Sequence, residues 1–197
     1  HFALIVAMAF ALCLSVIPMI GVVTKQHKLF TYAKPLTFGM FVFTFISIIL
    51  LAYSFVNDDF SVLYIANHSN SHLPYYFKIS AVWGGHEGSL LLWVFSLTAW
   101  TMAVAIYSKG IDDAFIARVL SVMGMVAVGF MAFTLFTSNP FERVFPIPME
   151  GRDLNPLLQD IGLIIHPPML YLGYVGFSVA FAFAVAALMC GKLDAAW

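Results

Sequence analysis

The sequence predicts an all-α integral membrane protein with about five transmembrane helices and long loops on one side of the bilayer. Hydrophobic residues make up 62% of the 197 positions and charged residues only 10%, whereas soluble domains carry roughly 25% charged residues. The apolar residues form continuous runs of about 20 positions, which is the length a helix needs to cross the hydrocarbon layer. Membrane strands would instead alternate apolar and polar residues over about ten positions, so the runs indicate helices.

Five segments of the chain meet this criterion. They are residues 2–23, 35–56, 88–108, 115–137 and 167–190. The first has no basic N-terminal region, which favours a spanning helix over a cleaved signal peptide. The fifth opens on two prolines, which are favoured in the first turn of a helix because they lose no intrahelical bond there. We expect a single membrane domain, residues 1–197, that forms part of a longer protein.

The loops between the predicted helices are unequal. Two long loops, residues 57–87 and 138–166, lie on one side, and two short ones, residues 24–34 and 109–114, lie on the other. The short-loop side holds six basic residues, and the long-loop side holds three. The six are Lys25, Lys28, Lys34, Lys109, Arg118 and Lys192, and the three are Lys78, Arg143 and Arg152. Because excess Lys and Arg mark the cytoplasmic side, the sequence predicts that the N-terminus and the long loops lie outside, in the periplasm or its equivalent in an organelle.

Composition and cysteine usage exclude some functions. A net charge of −1 with nine scattered basic residues provides no basic face for nucleic acid. Cys13 and Cys190 belong to apolar runs and form no C-x-x-C pair, so we interpret both as buried structural thiols.

Four histidines lie on the predicted periplasmic side. His68 and His72 belong to an Asn- and Ser-rich stretch that favours turns, so we interpret them as solvated side chains. His166 follows an apolar stretch and precedes Pro167, which places it at or just before the start of the fifth helix. A neutral imidazole there is a good iron ligand, but it equally suits a helix cap or a lipid headgroup contact. The residues alone leave both interpretations open.

A second candidate region is the segment 83–93, which reads Trp-Gly-Gly-His-Glu-Gly-Ser-Leu-Leu-Leu-Trp. Its glycines permit a tight turn and the close approach of a flat ligand. The pair His86-Glu87 does not extend to an H-E-x-x-H zinc motif, because position 90 is Leu. The segment is therefore either an interfacial anchor with a flexible entry turn or one wall of a site for a planar apolar ligand. The candidate wall residues are Trp83, Gly84, Gly85, His86 and Trp93.

A third candidate region is the segment 150–160. Its charged residues Glu150, Arg152 and Asp153 are expected to form a polar lock that holds the loop over the membrane, although exposed ion pairs stabilise little. The chain shows no pattern typical of an activated serine or cysteine nucleophile, and no phosphate-binding loop.

These regions together resemble the CcmF-type cytochrome c haem lyase family, which includes the NrfE proteins. The matching stretches are residues 81–93, 137–141, 150–160 and 166–178. The resemblance spans nearly the whole chain. Family members are much longer, so the chain resembles their N-terminal third.

The resemblance implies a function in cytochrome c biogenesis. Such proteins receive b-type haem from a periplasmic haem chaperone of the CcmE type. They help to attach its vinyl groups to the two cysteines of a C-x-x-C-H motif in apocytochrome c, and they work with a thiol-handling partner of the CcmH type. By the match to the family's His-Pro-Pro motif, His166 is an axial ligand of the haem iron.

The resemblance also implies that this portion is incomplete as a lyase. The family's tryptophan-rich segment, a second outer histidine and the two histidines that hold a permanent haem b lie beyond the matched stretches. We therefore expect the portion alone to be inactive and not to bind haem stably.

Two other functions compete with haem handling. A transporter or channel subunit of the inner membrane predicts ionisable residues or broken helices at the bilayer midplane, and the five runs show no central charge. A purely structural scaffold would not need the two long loops.

Overall fold

A computed structural model describes residues 1–191; Lys192, which was counted above on the short-loop side, lies outside the described residues. Within this part the chain is helical, as predicted, with one isolated bridge in place of any sheet. The α-helices are α1 (Phe2–Val23), α2 (His27–Phe30), α3 (Ala33–Val56), α4 (Leu63–His68), α5 (Tyr75–Ser80), α6 (His86–Tyr107), α7 (Asp113–Phe136) and α8 (Ile161–Cys190).

Five helical segments of the described chain are long and apolar enough to cross a membrane, which agrees with the predicted number. They are α1, α2 continued by α3, α6, α7 and α8. The first four long helices begin and end within two residues of the predicted bounds.

The start of α8 corrects the prediction. The helix begins at Ile161 and not at residue 167, so Pro167 and Pro168 lie inside it. Asp160 sets this start because its carboxylate accepts a hydrogen bond from the Gly162 N–H at 2.7 Å, which is the usual action of an N-cap residue. His166 therefore lies in the second turn of α8, and the prediction that it precedes the helix is wrong.

The helices α6 and α7 form the centre of the bundle. The helix α7 packs against α1, α6 and α8, while α6 packs against α3, α7 and α8. The hydrophobic window of α7 is 56% buried, but that of α8 is only 22% buried. Since α8 lies at the edge, most of its surface faces outwards.

Small and hydroxylated residues let the helices approach closely. A side-chain carbon added at Gly124 of α7 would lie 3.1 Å from both Leu14 Cγ and the Ser15 nitrogen of α1. The buried hydroxyls of Thr37, Thr44 and Thr101 each donate to the carbonyl four residues earlier in their own helix. This pattern satisfies polar groups without water and leaves small surfaces for packing in lipid.

The two cysteines differ in exposure. Cys13 is exposed, because the neighbouring Leu14 and Ser15 occupy the packed face of α1. The prediction of a buried thiol is therefore wrong for Cys13. Cys190, the last residue of α8, is half-buried.

We predict that Gly124→Val destabilises the bundle, because the added carbons would enter the contact between α1 and α7. Overpacking of this kind costs about 1–3 kcal/mol. Thermal unfolding of the purified protein in detergent measures the effect. The matched control is Gly129→Val on the same helix, where an added carbon meets no atom within 4 Å. Equal midpoints for the two variants would contradict the proposed packing.

Candidate functional site

The two long loops form one ordered layer over the helix ends. We call residues 57–85 and 137–160 the loop layer, since α6 and α8 take up the remaining residues of the predicted loops. The Leu63 N–H donates to the Glu142 carbonyl at 2.8 Å, and the Arg152 N–H donates to the Ala66 carbonyl at 2.7 Å. Backbone pairing of this kind holds the two segments together.

The polar lock predicted among Glu150, Arg152 and Asp153 is wrong, because Glu150 bonds to Ser71 instead. Within the described residues, neither Arg152 nor Asp153 forms an ion pair. The Glu150 carboxylate instead accepts hydrogen bonds from the Ser71 hydroxyl at 2.6 Å and from the Ser71 N–H at 2.9 Å. These bonds favour the ionised form and lower the pKa of Glu150.

A partly buried ion pair reinforces the same part of the loop layer. The ammonium of Lys78 lies 2.6 Å from the Asp58 carboxylate, and it also donates to the Ser71 carbonyl at 3.3 Å. Lys78 is buried, whereas the Asp58 side chain is 27% exposed. The pair keeps α5 close to the end of α3.

The Tyr64 side chain fixes the turn that leads into α6. Its hydroxyl accepts the Gly85 N–H at 2.9 Å and lies 3.2 Å from the carbonyl oxygens of Ala81 and Val82, to which it can donate. Tyr64 is only 3% exposed, and this burial raises the pKa of its phenol above the usual value. The hydroxyl therefore stays protonated and keeps its donor role.

The glycines of this turn serve internal packing. A side-chain carbon at Gly84 would lie 3.1 Å from Leu154 Cδ1, and one at Gly85 would lie 2.6 Å from His68 Nε2. The side chains of the protein thus fill the space beside both glycines. This packing favours the interfacial turn over the wall of a planar-ligand site, which was the other interpretation of the segment.

His68 and His72 also differ from one another. The Nδ1 of His68 lies 2.8 Å from the Tyr64 carbonyl, and a carbonyl only accepts, so this nitrogen carries the proton. His68 is half-buried at the end of α4, whereas His72 is exposed beyond it. The prediction of a solvated side chain is therefore wrong for His68.

Two further candidate wall residues, His86 and Trp93, have different surroundings. His86 is the exposed first residue of α6 and meets the Phe133 ring of α7 edge-on, with ring centres 6.3 Å apart. Trp93 stacks on Phe130 of α7 and contacts Tyr171 of α8, each with ring centres 5.5 Å apart. Its indole nitrogen is buried without a hydrogen-bond partner in the described part of the chain. Trp93 therefore belongs to the packing between helices.

Trp83 binds α8 directly. Its indole Nε1 donates to the Leu163 carbonyl at 2.7 Å. Pro167 has no N–H, so this carbonyl lacks the donor that normally lies four residues later in a helix. Sequence reasoning missed this bond, although an in-helix proline always predicts a free carbonyl four residues before it.

His166 is exposed on an apolar face of α8. Residues at helical spacing on the same face include Met169, Leu170 and Phe177, which are 63%, 42% and 73% exposed. The 30 residues of α8 extend about 45 Å, which exceeds the roughly 30 Å of the hydrocarbon layer. The first turns of α8 therefore have room at the membrane surface.

This arrangement fits one half of a haem site. A porphyrin needs an accessible nitrogen donor for its iron and apolar surface for its ring, and the face of His166 offers both. No group of three or more His, Cys, Asp or Glu side chains gathers for a metal ion among residues 1–191.

We predict that Tyr64→Phe loosens the turn into α6, because it leaves the Gly85 N–H without its acceptor. Removal of one partner from a buried hydrogen bond costs about 1–3 kcal/mol. Hydrogen exchange at residues 81–88 and the thermal midpoint report the change. Tyr75→Phe is the control, since Tyr75 is a 64% exposed residue of the same loop layer. Identical exchange in the two variants would refute the role of the Tyr64 hydroxyl.

The comparisons with known proteins agree with one another. Residues 83–194 match the family model described as cytochrome c assembly protein. The chain is 56% identical to a cytochrome c-type biogenesis protein CcmF of Pseudomonas aeruginosa, 52% identical to CcmF of Escherichia coli and 52% identical to NrfE of Haemophilus influenzae. These alignments cover 100%, 98% and 95% of the chain and 30% of each relative.

A solved structure shares the fold. The structure titled cytochrome c haem lyase CcmF matches with a TM-score of 0.84 and 26% identity, over 98% of this chain and 30% of that one. The chain thus spans about 30% of the length of the relatives that it matches.

Proposed function

Because the chain belongs to the cytochrome c assembly protein family, and within it to the CcmF and NrfE proteins, we propose that it presents haem to apocytochrome c for covalent attachment. The observation that carries the proposal is the exposed imidazole of His166 on the apolar face of α8. His166 would hold the haem iron as an axial ligand, and Met169, Leu170 and Phe177 would contact the porphyrin ring.

The chemistry of attachment needs positioning more than it needs an acid or base from the protein. Each thioether forms when a cysteine S–H adds across a vinyl C=C bond. The sulfur bonds to one vinyl carbon and the hydrogen goes to the other, so the addition consumes no oxidant or reductant. Holding a thiol and a vinyl group in contact converts an encounter in solution into a local reaction. The role of α8 and the loop layer is then to bind and orient.

The membrane orientation and the partners follow from the same proposal. We place the loop layer in the periplasm and the chain in the inner membrane, because basic residues are in excess at the short loops. Haem would arrive from a periplasmic chaperone of the CcmE type. A partner of the CcmH type would deliver apocytochrome c with reduced thiols.

We propose that the remaining haem ligands of the lyase lie in other parts of the protein. The chain spans about 30% of its relatives, and we assign the second axial ligand and the ligands of a permanent haem b to residues outside it. The portion alone is then inactive. A transport function has less support, because the central turns of the five long helices carry no Asp, Glu, Lys or Arg in the described sequence.

We predict that His166→Ala in the complete protein lowers the haem that co-purifies with it, and also the yield of holocytochrome c. The haem held at His166 should fall at least roughly tenfold, since loss of even an outer-sphere partner of a metal ligand lowers affinity about 10- to 100-fold, while the permanent haem b assigned to other residues should stay. The optical spectrum of the purified protein measures haem occupancy. His72→Ala is the control, because His72 is an exposed histidine of the loop layer. Unchanged occupancy in His166→Ala would disprove the assignment.

A further inference from the structure

We propose that Trp83 is a positioning residue for His166, because its indole N–H replaces the hydrogen bond that Pro167 removes from α8. The proposal rests on the function proposed above for His166. It reassigns Trp83 from the wall of a ligand site to the support of a ligand residue.

The prolines weaken α8 at the turn that carries His166. In an α-helix each carbonyl accepts the N–H four residues later. Pro167 has no N–H, so the Leu163 carbonyl loses its helical partner, and Pro168 has the same effect on Ile164. Two consecutive losses leave this turn free to bend, and the direction of the His166 imidazole then depends on what else holds the turn.

The Trp83 indole holds this turn from outside the helix. Its Nε1 lies 2.7 Å from the Leu163 carbonyl, and Leu163 is only 9% exposed, so the indole takes the place that water would fill at an open surface. Leu163 and His166 are three residues apart and therefore neighbours on the helix surface. A bond at Leu163 thus fixes the turn while the imidazole stays exposed.

Trp83 is itself firmly held. The Ser89 hydroxyl donates to the Trp83 carbonyl at 2.9 Å, and the Tyr64 hydroxyl binds the carbonyls just before it. Leu154 packs against the following residue, Gly84. The indole therefore connects His166 to the whole loop layer, so a partner that docks on this layer would act on the ligand turn through one bond.

A second tryptophan provides a natural comparison. Trp100 of α6 also donates its indole N–H to a carbonyl of α8, that of Leu172, at 2.9 Å. Residue 176 is a glycine inside the helix, so its N–H is in register to donate to the same carbonyl. The Trp100 bond therefore adds to a helical hydrogen bond that is already possible, whereas the Trp83 bond replaces one that Pro167 removes.

The test uses the complete protein, purified in detergent, as Trp83→Phe, Trp100→Phe and the double variant Trp83→Phe/Pro167→Ala. Phenylalanine keeps an aromatic ring and removes the donor. Electron paramagnetic resonance and optical spectra of the bound haem report axial ligation independently of lyase activity. We expect Trp83→Phe to lower the occupancy of the haem bound through His166 several-fold and to move its remaining signal from low spin towards high spin, while the permanent haem b keeps its own signal. Trp100→Phe should keep the parent spectrum.

The double variant distinguishes loss of the hydrogen-bond donor from the change of the aromatic ring. Pro167→Ala restores an N–H for the Leu163 carbonyl, so it should recover the low-spin signal in the Trp83→Phe background, and likewise the thermal midpoint if Trp83→Phe folds poorly. Failure of this recovery would overturn the proposal. A parent spectrum in Trp83→Phe would also overturn it, provided that His166→Ala loses the signal. If His166→Ala keeps the signal, the proposed function itself fails.

Discussion

A carbonyl group that is buried from water needs a donor within the protein, and two successive prolines in α8 withhold the helical donors of the Leu163 and Ile164 carbonyls. Trp83 supplies one donor from a turn far away in the sequence. Tyr64 and Leu154 of the loop layer and Ser89 of α6 support that turn. The cap at Asp160 starts α8 at Ile161, so the helix has more than one turn before the prolines. The exposed position of His166 is thus a consequence of how the helix and the loop layer meet.

The bundle below this junction leaves the same helix accessible. Glycines and back-bonded hydroxyls bring α1, α3, α6 and α7 close together, and they bury α7 far more than α8. The outward face of α8 therefore combines an imidazole with apolar residues at the membrane surface. In the proposed function, this face receives haem, and the loop layer above it is where carriers of haem and thiols would approach.

The sequence predicts the helices well, because the bilayer dictates the length and polarity of each span. The start of α8 could not be predicted in this way, since a cap at Asp160 and prolines at 167 and 168 favour different starts. The cap at Asp160 sets the start, and the bond that satisfies the Leu163 carbonyl within this helix comes from Trp83, 80 residues away. The hydrogen bond between Ser71 and Glu150 could not be predicted either, because the two residues are 79 positions apart. His166 was identified as a candidate from its own neighbours, but the support of its turn is a long-range property that local patterns do not contain.

The replacement bond can be observed directly in the indole ¹⁵N–¹H spectrum of the complete protein, with signals assigned by Trp83→Phe and Trp100→Phe. The bond between Trp83 and the Leu163 carbonyl predicts a downfield indole proton that exchanges slowly with solvent, as for Trp100. A Trp83 indole proton that exchanges as fast as that of a free indole at a membrane surface would contradict the account.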